Sequence, residues 1–135
     1  MGAETDIKTA LEGRLLTLAD RPETAWPNEG EDKNSVRPRL EVTIFRNTAQ
    51  IATFGHVYRL PGIFQVTAVT DVGAREWTAL TLAESVASHF PPGLRLEPGV
   101  EITSRPTVEA GFVDPNGAEY RIPVSIPFAA YVKET

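Results

Sequence analysis

Gly117-Ala-Glu-Tyr-Arg-Ile-Pro-Val-Ser-Ile-Pro-Phe-Ala-Ala-Tyr-Val132 is the stretch whose reading decides the fold. Tyr120, Ile122, Val124, Ile126, Phe128, Ala130 and Val132 alternate with Glu119, Arg121, Pro123, Ser125, Pro127, Ala129 and Tyr131, the period-two pattern of a strand with one buried face. Pro123 and Pro127 share parity, so their missing N–H groups lie along one edge, where a regular neighbour would lose two ladder bonds. The strand is expected at a sheet edge or against an irregular partner. A long exposed edge is usually blunted or used for docking, which suits a component of an assembly better than a catalyst.

Working outward, Asp114-Pro-Asn-Gly117 is a hairpin turn, preceded by strand patterns over Val100–Ser104 and Thr107–Val113. Pro91-Pro92-Gly93 ends a helix expected over 74–90, with Asp71 near its N-cap and an apolar stripe of Ala79, Leu80, Ala83, Val86, Ala87 and Phe90. Gly62–Thr70 is rich in β-branched residues and reads as a strand, with Phe64, Val66 and Ala68 on one face. Leu40, Val42 and Ile44 alternate with Glu41, Thr43 and Phe45 in an earlier strand. Residues 46–60 fit neither period, giving a ragged strand or a protruding arm, expected to order only on assembly. Residues 21–39 read as a long loop, and Trp26 within it either pins the loop to the body or meets a partner. Ile7, Ala10, Leu11, Leu15 and Leu18 form the stripe of a first helix over 4–20. The fold class is α+β: an antiparallel or mixed sheet with two amphipathic helices packed on it, in a single domain spanning 1–135.

The 135 residues suffice for one core, and the net charge of −5 opposes sequence-independent binding to the outside of nucleic acid. An acidic lumen through which DNA slides is compatible with it. The absence of cysteine excludes disulfides and thiolate chemistry, and a reducing cytoplasm is the simplest compartment. The N-terminus has no basic, signal-like region and no apolar run is long enough to span a membrane, so a soluble, unexported protein is expected.

Chemistry is concentrated nowhere. His56 and His89 are the only histidines and lack metal-ligand spacing, and no nucleophile elbow, Walker loop or dinucleotide motif occurs. Glu29, Glu31 and Asp32 lack the spacing of a calcium loop and read as a solvated acidic loop. No catalytic, cofactor or metal residue is assigned, and no enzyme activity is expected. Arg37, Arg39, Arg46 and Arg59 flank the early strands, either as a solvated rim or as interface arginines, with Phe45, Phe54 and Tyr58 as aromatic anchors or core. The interface candidates are Arg46, Phe54, Tyr58, Arg59, Pro123 and Pro127.

Ala10-Leu-Glu-Gly-Arg-Leu15, Ala25-Trp-Pro-Asn28, Gly62-Ile-Phe-Gln-Val66, Leu82-Ala-Glu-Ser-Val-Ala-Ser-His-Phe-Pro91 and Tyr120-Arg-Ile-Pro-Val-Ser-Ile-Pro-Phe128 together resemble the tail terminator, or tail-completion, proteins of long-tailed bacteriophages and related prophage elements. The resemblance implies a structural virion protein forming a hexameric ring that caps the tail tube, ends its polymerisation and joins it to the head connector. It implies as partners further copies of the chain, the tail tube protein and a head-completion protein, with DNA passing through the lumen unbound and no membrane contact. It places the protein in the virion tail, assembled in the host cytoplasm. The 46–60 segment corresponds in this picture to an arm toward the tube. Glu41, Glu101 and Glu109 are candidates for a neutral to acidic lumen. The alternative is a small-molecule or peptide-binding α+β module with Trp26 as a lid.

Overall fold

The computed structural model describes residues 3–26, 38–48, 50–51, 57–73, 76–97, 99–115 and 117–133. Two long strands, β4 (Val57–Asp71) and β9 (Glu119–Lys133), pair antiparallel along their whole length, with Phe64 opposite Ile126 and Val66 opposite Val124. On the other side of β4 lie β2 (Arg39–Arg46) and then β1 (Glu23–Ala25), the latter parallel to β2. Beyond β9 come β6 (Val100–Ile102) and β5 (Arg95–Leu96), giving the path β1-β2-β4-β9-β6-β5 in a mixed, mainly antiparallel sheet. β3 (Gln50–Ile51) folds back on the start of β4, while β7 (Thr107–Val108) and β8 (Phe112–Val113) flank β9.

The two prolines of β9 explain this broken flank. Tyr131 N–H donates to the Gly99 carbonyl, and the Pro127 and Pro123 carbonyls accept from Thr103 and Glu109 N–H, so this parity of β9 faces β6–β8. Neither proline can return a bond, and the neighbour there is three short pieces instead of one strand. β9 is therefore an interior strand with an irregular partner. The edge alternative is corrected, and with it a free β9 edge for docking.

Both helices lie on one side of the sheet. α1 (Ala3–Leu16) contributes Ile7, Ala10, Leu11 and Leu15, and α2 (Glu76–His89) contributes Ala79, Ala83 and Val86, to a core with Leu40, Val42, Phe64, Val66, Ala68, Ile122, Val124, Ile126 and Phe128. Phe90, just past α2, meets Phe64 with ring centroids 5.6 Å apart. α1 ends well before Pro22, because Thr17 and Leu18 close the last turn onto the Arg14 and Leu15 carbonyls. Asp71 is the last residue of β4, opposite Glu119, and not a helix cap as the sequence suggested. The 114–117 turn is as expected: Gly117 has φ 76° and donates to the Asp114 carbonyl at 2.7 Å.

One core hydroxyl is out of place. Thr70 is 3% exposed, and its Oγ1 has no hydrogen-bond partner among the described residues. An unsatisfied buried hydroxyl forfeits its desolvation energy, so Thr70→Val is expected to raise unfolding stability by about 1 kcal/mol, read as a higher urea midpoint.

Candidate functional site

Alternation sends Thr43, Phe45, Ile63, Gln65, Thr67, Pro123, Ser125, Pro127 and Tyr131 to the sheet face opposite the helices, and no described helix covers that face. Its middle is uncharged and polar, while Phe45 and Tyr131 are exposed.

A buried ionic network closes one end of this face. Arg39 and Arg121 sit opposite Val69 from its two sides, and Arg39 reaches across β4 to Glu119, Nη1 to Oε2 at 2.6 Å. Arg39 also binds Glu41 through Nε at 2.8 Å and through Nη2. Arg121 completes the set with Glu41 at 2.7 Å, Glu119 at 2.8 Å and Asp114 at 3.0 Å. Arg39 is 2% exposed and Glu119 4%. Burial alone would raise the Glu41 carboxyl, but its bonds to Arg121 and Arg39 outweigh this and hold it below the ordinary range. The sequence placed Arg39 in a solvated or interface rim. The structure corrects this, because its charge is consumed inside the subunit, as is that of Glu41.

At the other end, β3, the first residues of β4 and the last of β9 make a three-stranded arm. Tyr58 lies between Ile51 and Val132, and Arg59 between Gln50 and Tyr131, both half-buried. Arg46, nearby at the end of β2, bonds Glu4 at 2.8 Å and stands 6.0 Å from the Phe128 ring centroid. Pro123 and Pro127 are half-buried on the uncovered face. Arg46, Tyr58 and Arg59 thus lie toward one end of the sheet, with Tyr58 and Arg59 on opposite faces, and the prolines lie along β9. Phe54, His56, Arg37 and the acidic loop of Glu29, Glu31 and Asp32 lie outside the described residues. Trp26 packs against the core with the Arg21 guanidinium 5.9 Å from its ring, which favours pinning over a lid or partner contact.

The helix ends are clasped on the opposite side. Arg14 Nε donates to the His89 carbonyl at 2.9 Å, and His89 Nε2 lies 2.9 Å from the Arg14 carbonyl oxygen and 2.7 Å from Thr17 Oγ1. Burial pushes the imidazole below its usual value, and the Arg14 charge adds to this against the bond to the Arg14 carbonyl. The unfolded chain therefore binds the proton more readily. The clasp contributes fully above the unfolded pKa of about 6.5 and is lost as pH falls through the folded value. Stability should fall between neutral pH and about pH 5.5 with a shallower slope in His89→Asn, measured by urea melts across that range.

One exposed residue was missed: Trp77, 74% exposed on the outer side of α2. The stripe reading directs attention to buried positions and has no signal for an aromatic on the polar side. Clefts run on both sides of α2, one of about 840 Å³ beside Pro106 and Val108, and one of about 470 Å³ between Trp77 and Pro22. Among the described residues no three histidine or carboxylate side chains converge to hold a metal ion, and no helix is long and apolar enough to cross a membrane.

This architecture is shared with known proteins. The chain belongs to the family of phage tail terminator proteins, whose family model matches residues 6–128. That membership makes it a structural component of a phage tail. A solved structure covering 96% of both chains superposes with a TM-score of 0.68 at 21% identity, a likeness of fold. No curated protein matches the chain at a significant level.

Proposed function

We propose that the protein assembles into a hexameric ring on the end of the tail tube, stops tube polymerisation and presents a surface to the head connector, without catalysis. The observation that carries this reading is the one-sided build of a tail-terminator-family domain: both helices cover one sheet face, while the other is uncovered and polar at its middle, and the sheet ends in an arm of three paired strands that includes Tyr58 and Arg59. A ring subunit uses it to reach a neighbour or the tube.

Charge supports passage of DNA. Arg39 and Arg121 are neutralised by Glu41, Glu119 and Asp114, and the middle of the uncovered face offers Thr43, Gln65, Thr67 and Ser125. Neither arginine is available to grip phosphate.

Sedimentation across a concentration series tests the ring, with a discrete species of six chains expected. Tyr58→Ala with Arg59→Ala is expected to shift assembly to higher concentration while the subunit melts within about 1 kcal/mol of the parent, since interface anchors are aromatic and arginine side chains. A strict monomer at every concentration contradicts the ring. A double variant that melts far below the parent assigns these side chains to the core.

A further inference from the structure

α2 carries a cleft on each flank, and the two differ in charge. On one flank Pro22, just before β1, and Pro38, just before β2, enclose with Trp77 and Leu82 a space of about 470 Å³. Among the described residues its only charged lining residue is Asp20. On the other flank, toward β7, Arg105 and Pro106 line the larger cleft of about 840 Å³. β1 and β2 lie on one side of β4, while β7 lies beyond β9, so the clefts open toward opposite edges of the sheet.

Each cleft holds a charge that its own subunit leaves unused. Asp20 and Arg105 are exposed, and among the described residues neither forms an ion pair. Glu84 lines the same cleft as Arg105 without bridging to it. Arg105 stands on a short connection fixed to β9 at both ends: Thr103 N–H donates to the Pro127 carbonyl at 3.1 Å, Thr107 pairs with Ser125, and the intervening Pro106 is buried. Its backbone is set before a partner arrives, which lowers the ordering cost of an interface. Trp77, 74% exposed, shares its cleft with Asp20. An indole face beside a carboxylate suits a guanidinium, which stacks on the one and bonds the other.

A closed ring of more than two copies turns two different surfaces of each subunit toward its two neighbours, so those surfaces must complement each other. We propose that Arg105 of one copy enters the Trp77 cleft of the next, stacking on the indole and pairing with Asp20, so that the two flanks of α2 form the junction between subunits. The occupant of the Trp77 cleft is a second copy of this chain, because the opposite flank of the same helix presents the fixed, unpaired cation that the cleft lacks. This junction rests on the ring reading and deepens it by naming the paired surfaces.

Charge reversal on both sides of the junction tests it. Thr81 is exposed and lines the Trp77 cleft, so Thr81→Lys places a cation where Arg105 is expected. Arg105→Glu reverses the charge that enters. Each alone should raise the concentration at which rings form by about tenfold or more, read by sedimentation of the full chain, with the urea midpoint of the parent retained because both positions are exposed. Combined in one chain, the two reversals should return assembly toward the parent. Asp20→Asn should weaken assembly less than Arg105→Glu, since it removes a charge without reversing one and asparagine tolerates the φ of 57° found there.

Single variants that assemble like the parent overturn the junction and leave the ring reading standing. So do single variants that weaken assembly without recovery in the combined chain, since the two sites then do not face each other. A parent that stays monomeric at every concentration contradicts the ring itself, and the junction falls with it.

Discussion

Arg39→Ala is expected to cost about 3–5 kcal/mol of unfolding stability, out of a total that for such domains is about 5–15 kcal/mol. The guanidinium is 2% exposed and bonds Glu119 and Glu41. Its removal leaves Glu119, itself 4% exposed, short of its buried partner and facing the half-buried Glu41. The penalty is the desolvation of two buried or half-buried carboxylates left to share Arg121, which is why the matched pair of changes behaves differently. Arg39→Met with Glu119→Leu removes both charges, and is expected to recover most of the loss despite deleting more hydrogen bonds. Urea melts of the two variants separate the accounts: equal destabilisation would mean that the bonds themselves, and not the under-neutralised carboxylates, carry the energy.

Gly62→Ala is the second large effect, expected at about 3 kcal/mol, the upper end for an overpacked core position. The added carbon would collide with the Phe45 carbonyl oxygen and stand 2.8 Å from Phe128 Cζ. The carbonyl belongs to β2, whose Arg46 pairs with Gly62, so it cannot move without opening that ladder. The loss should be partly relieved by Phe128→Leu, which retracts the ring. A thermal melt of Gly62→Ala within about 0.5 kcal/mol of the parent would show that the strands yield there.

Much of this fold was legible because β4 and β9 carry strict alternation over their apolar centres, and because Pro91-Pro92-Gly93 and Asp114-Pro-Asn-Gly117 punctuate the chain with specific turn chemistry. Pro123 and Pro127 announced an irregular neighbour, and the structure gives that alternative and not the open edge. The short strands were not legible. β1, β5 and β3 have two or three residues each, too few for a period to emerge, and they exist because β2, β6 and β4 offer them a ladder. The expected strand over 107–113 is split into β7 and β8 for the same tertiary reason.

The candidate site was legible as residue types but not as partnerships. Arginines near the first strands share a residue type, yet Arg39 and Arg46 behave oppositely: one is buried in a network that spans β2 and β9, the other sits at the end of β2 against Glu4. Nothing local in Arg-Leu-Glu distinguishes Arg39, because its partner Glu119 is eighty positions away. Trp77 escaped for the converse reason, since an exposed aromatic leaves no periodic signature.

The claim that the protein ends tail-tube growth is tested most directly by electron microscopy of the cognate tail tube protein polymerised with and without this chain. The account predicts shorter tubes of narrow length distribution, each stopped end bearing a six-fold ring. Tubes of unchanged length with bare ends, at concentrations where the chain is in excess, would contradict it.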